Sequence, residues 1–158
     1  MKLYVEGGGD SNTLRTACRN GFSEFLSKAG LKGNMPRIVA CGSRQNAYDS
    51  FCTAIKSGEK ALLLVDSESA VAAGCQKGKD ENWQPWSHLR NRQGDKWDEP
   101  AEDCDGDCHL MVQCMEAWFL ADREVLQSFF GQGFNVGSLP ALAKEIESVD
   151  KRRIYQAL

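Results

Sequence analysis

Three carboxylates that follow two apolar segments are the side chains best suited to chemistry in this chain. Glu6 ends the segment 2–6, and Asp66 and Glu68 follow the apolar run 61–65. Carboxylates that converge can hold a hard divalent cation, since Mg²⁺ binds through one or two carboxylates together with waters and substrate phosphates. A third carboxylate can then orient or deprotonate a nucleophile, or protonate a leaving oxygen. Each acid alone could equally cap a turn or a helix, so the hypothesis depends on all three.

The elements around these carboxylates predict where they lie. Apolar segments that alternate with helical patterns indicate parallel strands joined by right-handed crossovers. The predicted strands cover residues 2–6, 36–41, 60–66 and 109–114, and the predicted helices cover about 11–29, 43–57, 115–130, 139–147 and 151–157. We therefore expect an α/β sandwich of three layers, with a mostly parallel sheet of about four strands and helices on both faces. Ligands bind at the carboxyl edge of such a sheet, where Glu6 lies beside Asp66 and Glu68 if the first and third strands are neighbours.

Five further residues are secondary candidates. Asp10 and Glu116 could be outer carboxylates or ligands of a second metal, although a carboxylate in a first helical turn also complements the helix dipole. Gly7 and Gly8 would let a phosphate approach the backbone closely, although a tight turn explains a glycine run equally well. His109 could orient a phosphate, although a lone histidine near the start of a strand is more often structural.

Composition and charge restrict the classes of protein to consider. A length of 158 residues suits a single domain over 1–158. The net charge is −3 and Lys151-Arg152-Arg153 is the one basic triplet, so a nucleic-acid substrate would need a partner or a local groove to supply positive charge. An odd number of cysteines, seven, argues against a disulfide framework. The sequence has no apolar run long enough for a membrane and no room for a signal peptide before the first strand, so we expect a cytoplasmic protein.

Residues 74–107 break the alternation of strands and helices. The segment is polar, lacks periodicity and contains Trp83, Trp86 and Trp97. This predicts a long loop or insertion that folds over the sheet edge or binds a partner. Its stretch 104–109 contains two cysteines and a histidine, but the ligands needed to complete a zinc site have no recognised spacing. The chain stops within a helical pattern, which leaves open whether its C-terminus is complete.

Two short motifs resemble those of the TOPRIM domain, which occurs in topoisomerases, bacterial primases and OLD-type nucleases. Val5-Glu6-Gly7 matches the first motif, and Leu64-Val65-Asp66-Ser67-Glu68 matches the second, with Glu in place of the commoner final Asp. The stretches KLYVEGGGD, LLLVDSES and HLMVQCMEAWFLAD are more specifically similar to a family of small bacterial TOPRIM-like proteins. The resemblance implies that Glu6 is the general acid/base and that Asp66 and Glu68 bind Mg²⁺ or Mn²⁺. It also implies a nuclease that cleaves DNA or RNA, an ABC-type or OLD-type ATPase subunit as partner, and a role in phage defence.

Three functions are compatible with these features, and each is compatible with a homo-oligomer. The first is a Mg²⁺-dependent nuclease under the control of an ATPase partner. The second is a non-catalytic adaptor that docks through its Trp-rich segment, since tryptophan is enriched at binding hot spots. The third is a small-molecule phosphatase or phosphotransferase with an aspartyl nucleophile, but that class requires Asp-x-Asp after the first strand, where this chain has Glu6. The nuclease hypothesis requires Glu6 to lie near Asp66, and neither to be buried in an ion pair with lysine or arginine.

Overall fold

The computed structural model of the chain describes residues 1–72, 75, 83–141 and 145–158. Four parallel strands form its central sheet in the order β2-β1-β3-β4, with helices around it, so the predicted α/β sandwich is confirmed. The strands are β1 (Lys2–Val5), β2 (Arg37–Ala40), β3 (Ala61–Asp66) and β4 (Cys108–Met111). The α-helices are α1 (Asn12–Leu26), α2 (Arg44–Lys56), α3 (Pro85–Asn91), α4 (Arg123–Phe130) and α5 (Lys151–Ala157). A π-helical turn, Ser27–Leu31, extends α1, and short 3-10 helices cover Asp105–Asp107, Met115–Ala121, Val136–Ser138 and Ile146–Ser148.

Both faces of the sheet are covered, which explains why most of its strand residues are apolar. Alternate residues of β1 point to opposite faces. Leu3 and Val5 belong to the same apolar cluster as Phe22 of α1, whereas Tyr4 lies in a second cluster with Phe51 of α2. Most strand residues between these layers are buried, so the polar side chains of a site are favoured at the ends of the strands.

Serine caps fix where the two longest helices begin. The side chain of Ser11 accepts a hydrogen bond from the Leu14 amide at 3.2 Å, and that of Ser43 accepts one from the Asn46 amide at 3.2 Å. Each cap satisfies an amide that the first helical turn leaves unpaired, so α1 and α2 start directly after the turns that follow β1 and β2. Across the described parts of the chain, no helix combines the length and the apolar character that crossing a membrane requires.

The segment after β4 is not the single helix that the sequence predicts over 115–130. A 3-10 helix covers Met115–Ala121, and α4 begins only at Arg123. Asp122 separates the two, because its backbone is extended and its side chain caps α4 by accepting a hydrogen bond from the Val125 amide at 3.0 Å. The apolar periodicity continues across this break, which is why it predicted one helix.

The C-terminal part of the chain consists of short elements around a third apolar cluster. The helix predicted over 139–147 is wrong where that stretch is described, since it contains only the start of a 3-10 helix, Ile146–Ser148; residues 142–144 lie outside the described part. The last predicted helix is present as α5, which the side chain of Asp150 caps. Ile154 of α5 is fully buried in this cluster, and this burial holds the last helix against the rest of the chain.

Two of the three tryptophans of the segment 74–107, Trp86 and Trp97, lie in the core over α2, whereas Trp83 is partly buried. Trp86 and Trp97 are only 2% and 4% exposed, and Trp97 stacks on Tyr48 with ring centroids 4.4 Å apart. Trp86 and Trp97 therefore cannot contribute to the docking surface that the adaptor hypothesis assigned to the Trp-rich segment. Residues 74 and 76–82 of the predicted insertion lie outside the described part of the chain.

A candidate metal site at the carboxyl edge of the sheet

Glu6, Asp66 and Glu68 meet at the carboxyl edge of the sheet. One oxygen from each carboxylate lies within 4.8 Å of the other two. The strand order causes this meeting, because β1 pairs directly with β3, with Val5 opposite Leu64. Two oxygens on opposite sides of one Mg²⁺ are about 4 Å apart, since each Mg–O bond is about 2.1 Å. Asp66 and Glu68 could therefore share one ion after an inward movement of their side chains, with Glu6 beside it.

A left-handed turn positions Glu68. β3 ends at Asp66, and Glu68 has a φ of 66°, which residues other than glycine seldom adopt. Backbone pairing continues past the strand, with the Ser67 amide donating to the carbonyl of Met111 at 2.9 Å and the Glu68 amide donating to that of Gln113 at 2.8 Å. The side chains of Asp66 and Glu68 thus point into the same site because of this turn, and not because alternate residues of a strand share a face.

Asp66 is the most buried of the three acids, at 7% exposure. Its Oδ1 accepts a hydrogen bond from the Met115 amide at 2.9 Å. Burial and the nearby charge of Glu6 raise the pKa of Asp66 to about 6, against the opposing effect of Lys151. A nearby cation would stabilise the ionised form of such a buried carboxylate. Groups with perturbed pKa values cluster at functional sites.

Arg44 holds Glu6 in place. Oε2 of Glu6 accepts hydrogen bonds from Nη1 of Arg44 and from the Asp66 amide, both at 3.1 Å. Arg44 also donates through Nε and Nη2 to the two oxygens of Asp95, each at 2.8 Å. Its guanidinium lies 4.8 Å from the ring centroid of Trp97. Because Asp95 and Trp97 both fix this guanidinium, the orientation of Glu6 depends on the segment that covers α2.

Lys151, the first residue of α5, supplies the cation that balances the other two acids. Its Nζ lies 2.8 Å from Oε1 of Glu68 and 3.5 Å from Oδ2 of Asp66. Burial alone would lower the pKa of Lys151, but its hydrogen bond to Glu68 and the charges of both acids raise it, so the ammonium stays charged.

These ion pairs contradict one of the two requirements of the nuclease hypothesis. Glu6 does lie near Asp66, but the acids are not free of buried pairing, since Arg44 contacts Glu6 and Lys151 contacts Asp66 and Glu68. A metal ion must therefore displace the ammonium of Lys151 before it can bind Asp66 and Glu68 together.

None of the secondary candidates joins the acidic cluster within the described residues. Glu116 is nevertheless close enough for its charge to contribute to the raised pKa of Asp66, and it accepts a hydrogen bond from the hydroxyl of Tyr155 at 3.3 Å. Asp10 is exposed. His109 is also exposed and is the second residue of β4.

The glycine run after β1 has a structural explanation of its own. Gly7 and Gly42 exchange two backbone hydrogen bonds of 2.9 Å. Gly7, Gly8 and Gly9 all have positive φ values, and a Cβ at Gly8 would lie 2.9 Å from Cα of Arg15. The close turn therefore requires glycine without any ligand, and a phosphate contact at Gly7 and Gly8 stays a prediction.

Arg44, Lys151 and His88 also belong to this site but are not among the residues predicted from the sequence. Nε2 of His88, on α3, lies 2.8 Å from the carbonyl oxygen of Ser67 in the turn between two of the acids. The sequence does contain an indication for Arg44. It is the first residue of the helix after the second strand, so it lies near the same edge of the sheet. No local pattern indicates that Lys151 reaches Asp66, 85 residues away.

The cysteine-rich stretch before β4 is not arranged as a zinc site. Cys104 and Cys108 are buried in the apolar cluster over α2, and burial raises the pKa of Cys104 to about 11. Zinc binds thiolates, which this environment disfavours. Within the described residues, the three carboxylates are the one group of potential ligands close enough to hold a metal ion.

Comparison with known proteins gives a family but no activity. A family model described as a domain of unknown function, DUF4276, matches residues 5–157. No curated protein and no solved structure matches the chain. The matched region includes Glu6, Asp66, Glu68 and Lys151, so it spans every side chain of the acidic cluster and the ammonium that balances it.

Proposed function

The chain belongs to the DUF4276 family, and from that premise we propose that it is a Mg²⁺-dependent phosphodiesterase, a TOPRIM-like nuclease. The observation that carries the proposal is the meeting of Glu6, Asp66 and Glu68 at the carboxyl edge of a parallel sheet. Open α/β sheets bind their ligands at this edge. Three carboxylates without a nitrogen or sulfur ligand suit Mg²⁺ or Mn²⁺.

The surroundings of each acid support a distinct role. Asp66 and Glu68 already share one cation, the ammonium of Lys151, and would bind the metal in its place. Glu6 pairs with a different cation, Arg44, and would act as the general acid/base on the substrate. A bound Mg²⁺ would neutralise charge on the phosphate and polarise the attacking water.

A partner would supply the positive charge that this chain lacks. Its net charge of −3 does not favour unaided binding to nucleic acid. The TOPRIM resemblance suggests an ABC-type or OLD-type ATPase, acting in phage defence. The apolar side chains of α4 offer a surface for such a partner, since Val125 is 62% exposed and Phe129 is 81% exposed.

The same surface favours a second candidate function, a non-catalytic adaptor that binds an ATPase through α4. Exposed apolar side chains that lie together, as Val125 and Phe129 do in one surface groove, are typical of interaction sites. Both candidates involve the partner, but only the nuclease needs a metal ion at Asp66 and Glu68. Metal binding by the purified chain therefore distinguishes them.

We expect Mg²⁺ or Mn²⁺ to stabilise the purified chain and to be required for hydrolysis of DNA or RNA. At a metal concentration ten times the Kd, binding to the folded state adds about 1.4 kcal/mol of stability, a rise in Tm of a few degrees for a domain of this size. Scanning calorimetry with metal and with a chelator measures the shift. Asp66→Asn should remove it, whereas Asp122→Asn, at the exposed cap of α4, should leave it intact. No shift with the wild type at millimolar metal would favour the adaptor.

We expect Lys151→Met to bind Mg²⁺ or Mn²⁺ about tenfold more tightly than the wild type, a difference of about 1.4 kcal/mol. The ammonium occupies the cation position between Asp66 and Glu68, and methionine keeps a similar length without the charge. Isothermal titration measures the affinity. Arg152→Met removes a neighbouring positive charge that lies on the exposed side of α5 and serves as the control. Equal affinities of the Lys151→Met and Arg152→Met proteins would mean that Lys151 does not compete with the metal.

A further inference from the structure

An apolar pocket of about 480 Å³ opens beside the acidic cluster. Its walls come from α1, from the glycine turn after β1 and from the 3-10 helix Met115–Ala121. Its size falls within the roughly 300–1,000 Å³ of small-molecule sites. Glu6 lines this pocket and also belongs to the acidic cluster, so the two sites are continuous.

Aromatic side chains dominate the walls of this pocket. Phe22, Phe25, Trp118 and Phe119 all line it. Phe25 and Phe119 are 48% and 43% exposed, so they leave apolar surface available to a ligand. Phe25 and Trp118 stack on each other with centroids 5.2 Å apart and planes 20° apart. These two rings are already in contact, so a flat ligand would stack on the pocket side of one of them and not between them.

The boundary between the pocket and the acidic cluster is open because glycines form it. Gly7, Gly8 and Gly9 line the pocket next to Glu6 and contribute no side chains. A ligand with a flat aromatic group and a phosphate could therefore place the first in the pocket and the second at the carboxylates. Aromatic walls suit a ring more specifically than an acyl chain, because a ring gains stacking in addition to apolar contact.

We propose that this pocket binds a nucleobase of the strand whose phosphate lies at Glu6, Asp66 and Glu68. This inference depends on the proposed nuclease function and specifies its substrate. A base that is paired within a duplex cannot enter such a pocket without being flipped out. The preferred substrate is therefore a single strand, or a strand end with an unpaired base.

The test compares two ligands that differ only in the base, deoxyadenosine 5′-monophosphate and 2-deoxyribose 5-phosphate. Isothermal titration is carried out with each ligand in Mg²⁺ and in a chelator. We expect the nucleotide to bind about tenfold or more tightly than the base-free phosphate, because stacking a base on an aromatic side chain contributes a factor of this order. Phe25→Leu combined with Trp118→Leu should remove most of this preference. The control Phe129→Leu changes an aromatic side chain that does not line the pocket and should preserve it.

The outcomes separate this inference from the function on which it rests. Equal affinity for the two ligands, or no binding of either, overturns the base pocket, even if metal-dependent hydrolysis is found. A preference for the nucleotide that persists in chelator, in a chain that binds no metal, supports the pocket and overturns the nuclease. If the double variant does not fold, Phe25→Leu alone takes its place, because it changes a half-exposed side chain. A duplex without unpaired bases that binds as tightly as a single strand of the same sequence overturns the predicted strand preference.

Discussion

Glu6→Gln is expected to lower the rate of metal-dependent hydrolysis by about 10²–10⁴-fold, the usual contribution of a general acid or base. Glutamine keeps the shape of the side chain and a carbonyl oxygen that can accept the hydrogen bonds of Arg44 and the Asp66 amide, but it cannot transfer a proton. The fold and the metal affinity should therefore change little. Single-turnover cleavage of a labelled strand measures the rate, and calorimetry measures stability and metal binding on the same preparations.

Glu59→Gln is the matched control for this experiment. Glu59 pairs with Lys2 at 2.5 Å, at the end of the sheet opposite the acidic cluster, and its substitution should leave hydrolysis unchanged. If Glu6→Gln cleaves as fast as the Glu59→Gln protein, Glu6 is not the general acid/base. A Glu6→Gln protein that loses metal affinity as well as activity would assign Glu6 to the metal instead.

Asp95→Asn is expected to lower the free energy of unfolding at pH 7 by about 3–5 kcal/mol, the cost of leaving one partner of a buried ion pair without its countercharge. The side chain of Asp95 is 3% exposed and that of Arg44 is 14% exposed. Arg92 contacts the same carboxylate at 2.5 Å, so the substitution leaves Arg92 without this anion and leaves Arg44 paired with Glu6 alone. Denaturant unfolding of the two proteins measures the difference.

The pH dependence of this loss has a definite direction. Burial alone would raise the pKa of Asp95, but Arg44 and Arg92 hold it below its usual value. The carboxylate therefore contributes stability above the unfolded-state pKa of about 3.9, and this contribution is lost as the pH falls through the lower folded-state pKa. The difference between wild type and Asp95→Asn should accordingly shrink as the pH is lowered from 5 towards about 3.

Asp98→Asn provides a control from the same segment. Asp98 also pairs with an arginine, Arg90, but the two side chains are 80% and 53% exposed. An exposed pair contributes about 0–1 kcal/mol, so this variant should be nearly as stable as the wild type. Equal costs for Asp95→Asn and Asp98→Asn would show that the buried pair contributes no more than a surface one.

The sheet and the acidic cluster could be predicted because local patterns determine both. Apolar segments separated by helices predict parallel strands, and all carboxyl ends of such strands lie at one edge. The sequence left one condition open, whether β1 neighbours β3, and the observed pairing of Val5 with Leu64 resolves it. Glu6 and Asp66 then come together without any long-range information beyond the strand order.

The cations of the site could not be predicted, because they come from distant elements. Arg44 reaches Glu6 across 38 residues of chain and Lys151 reaches Asp66 across 85. Ion pairs of this kind depend on how helices pack on the sheet, and hydrophobic periodicity carries no information about them. The burial of Trp97 could not be predicted for a related reason. It depends on stacking against Tyr48, which belongs to another element, α2.

The contact between Arg44 and Asp95 means that the polar stretch between β3 and β4 is not a dispensable insertion. Excising it from an engineered, shortened chain would remove Asp95 and Trp97, which together fix the guanidinium beside Glu6. The side chain of Glu6, which directly follows β1, would then change its orientation, although neither Glu6 nor β1 had been altered. A minimal version of this domain must therefore keep residues 92–97 or replace Arg44 together with them.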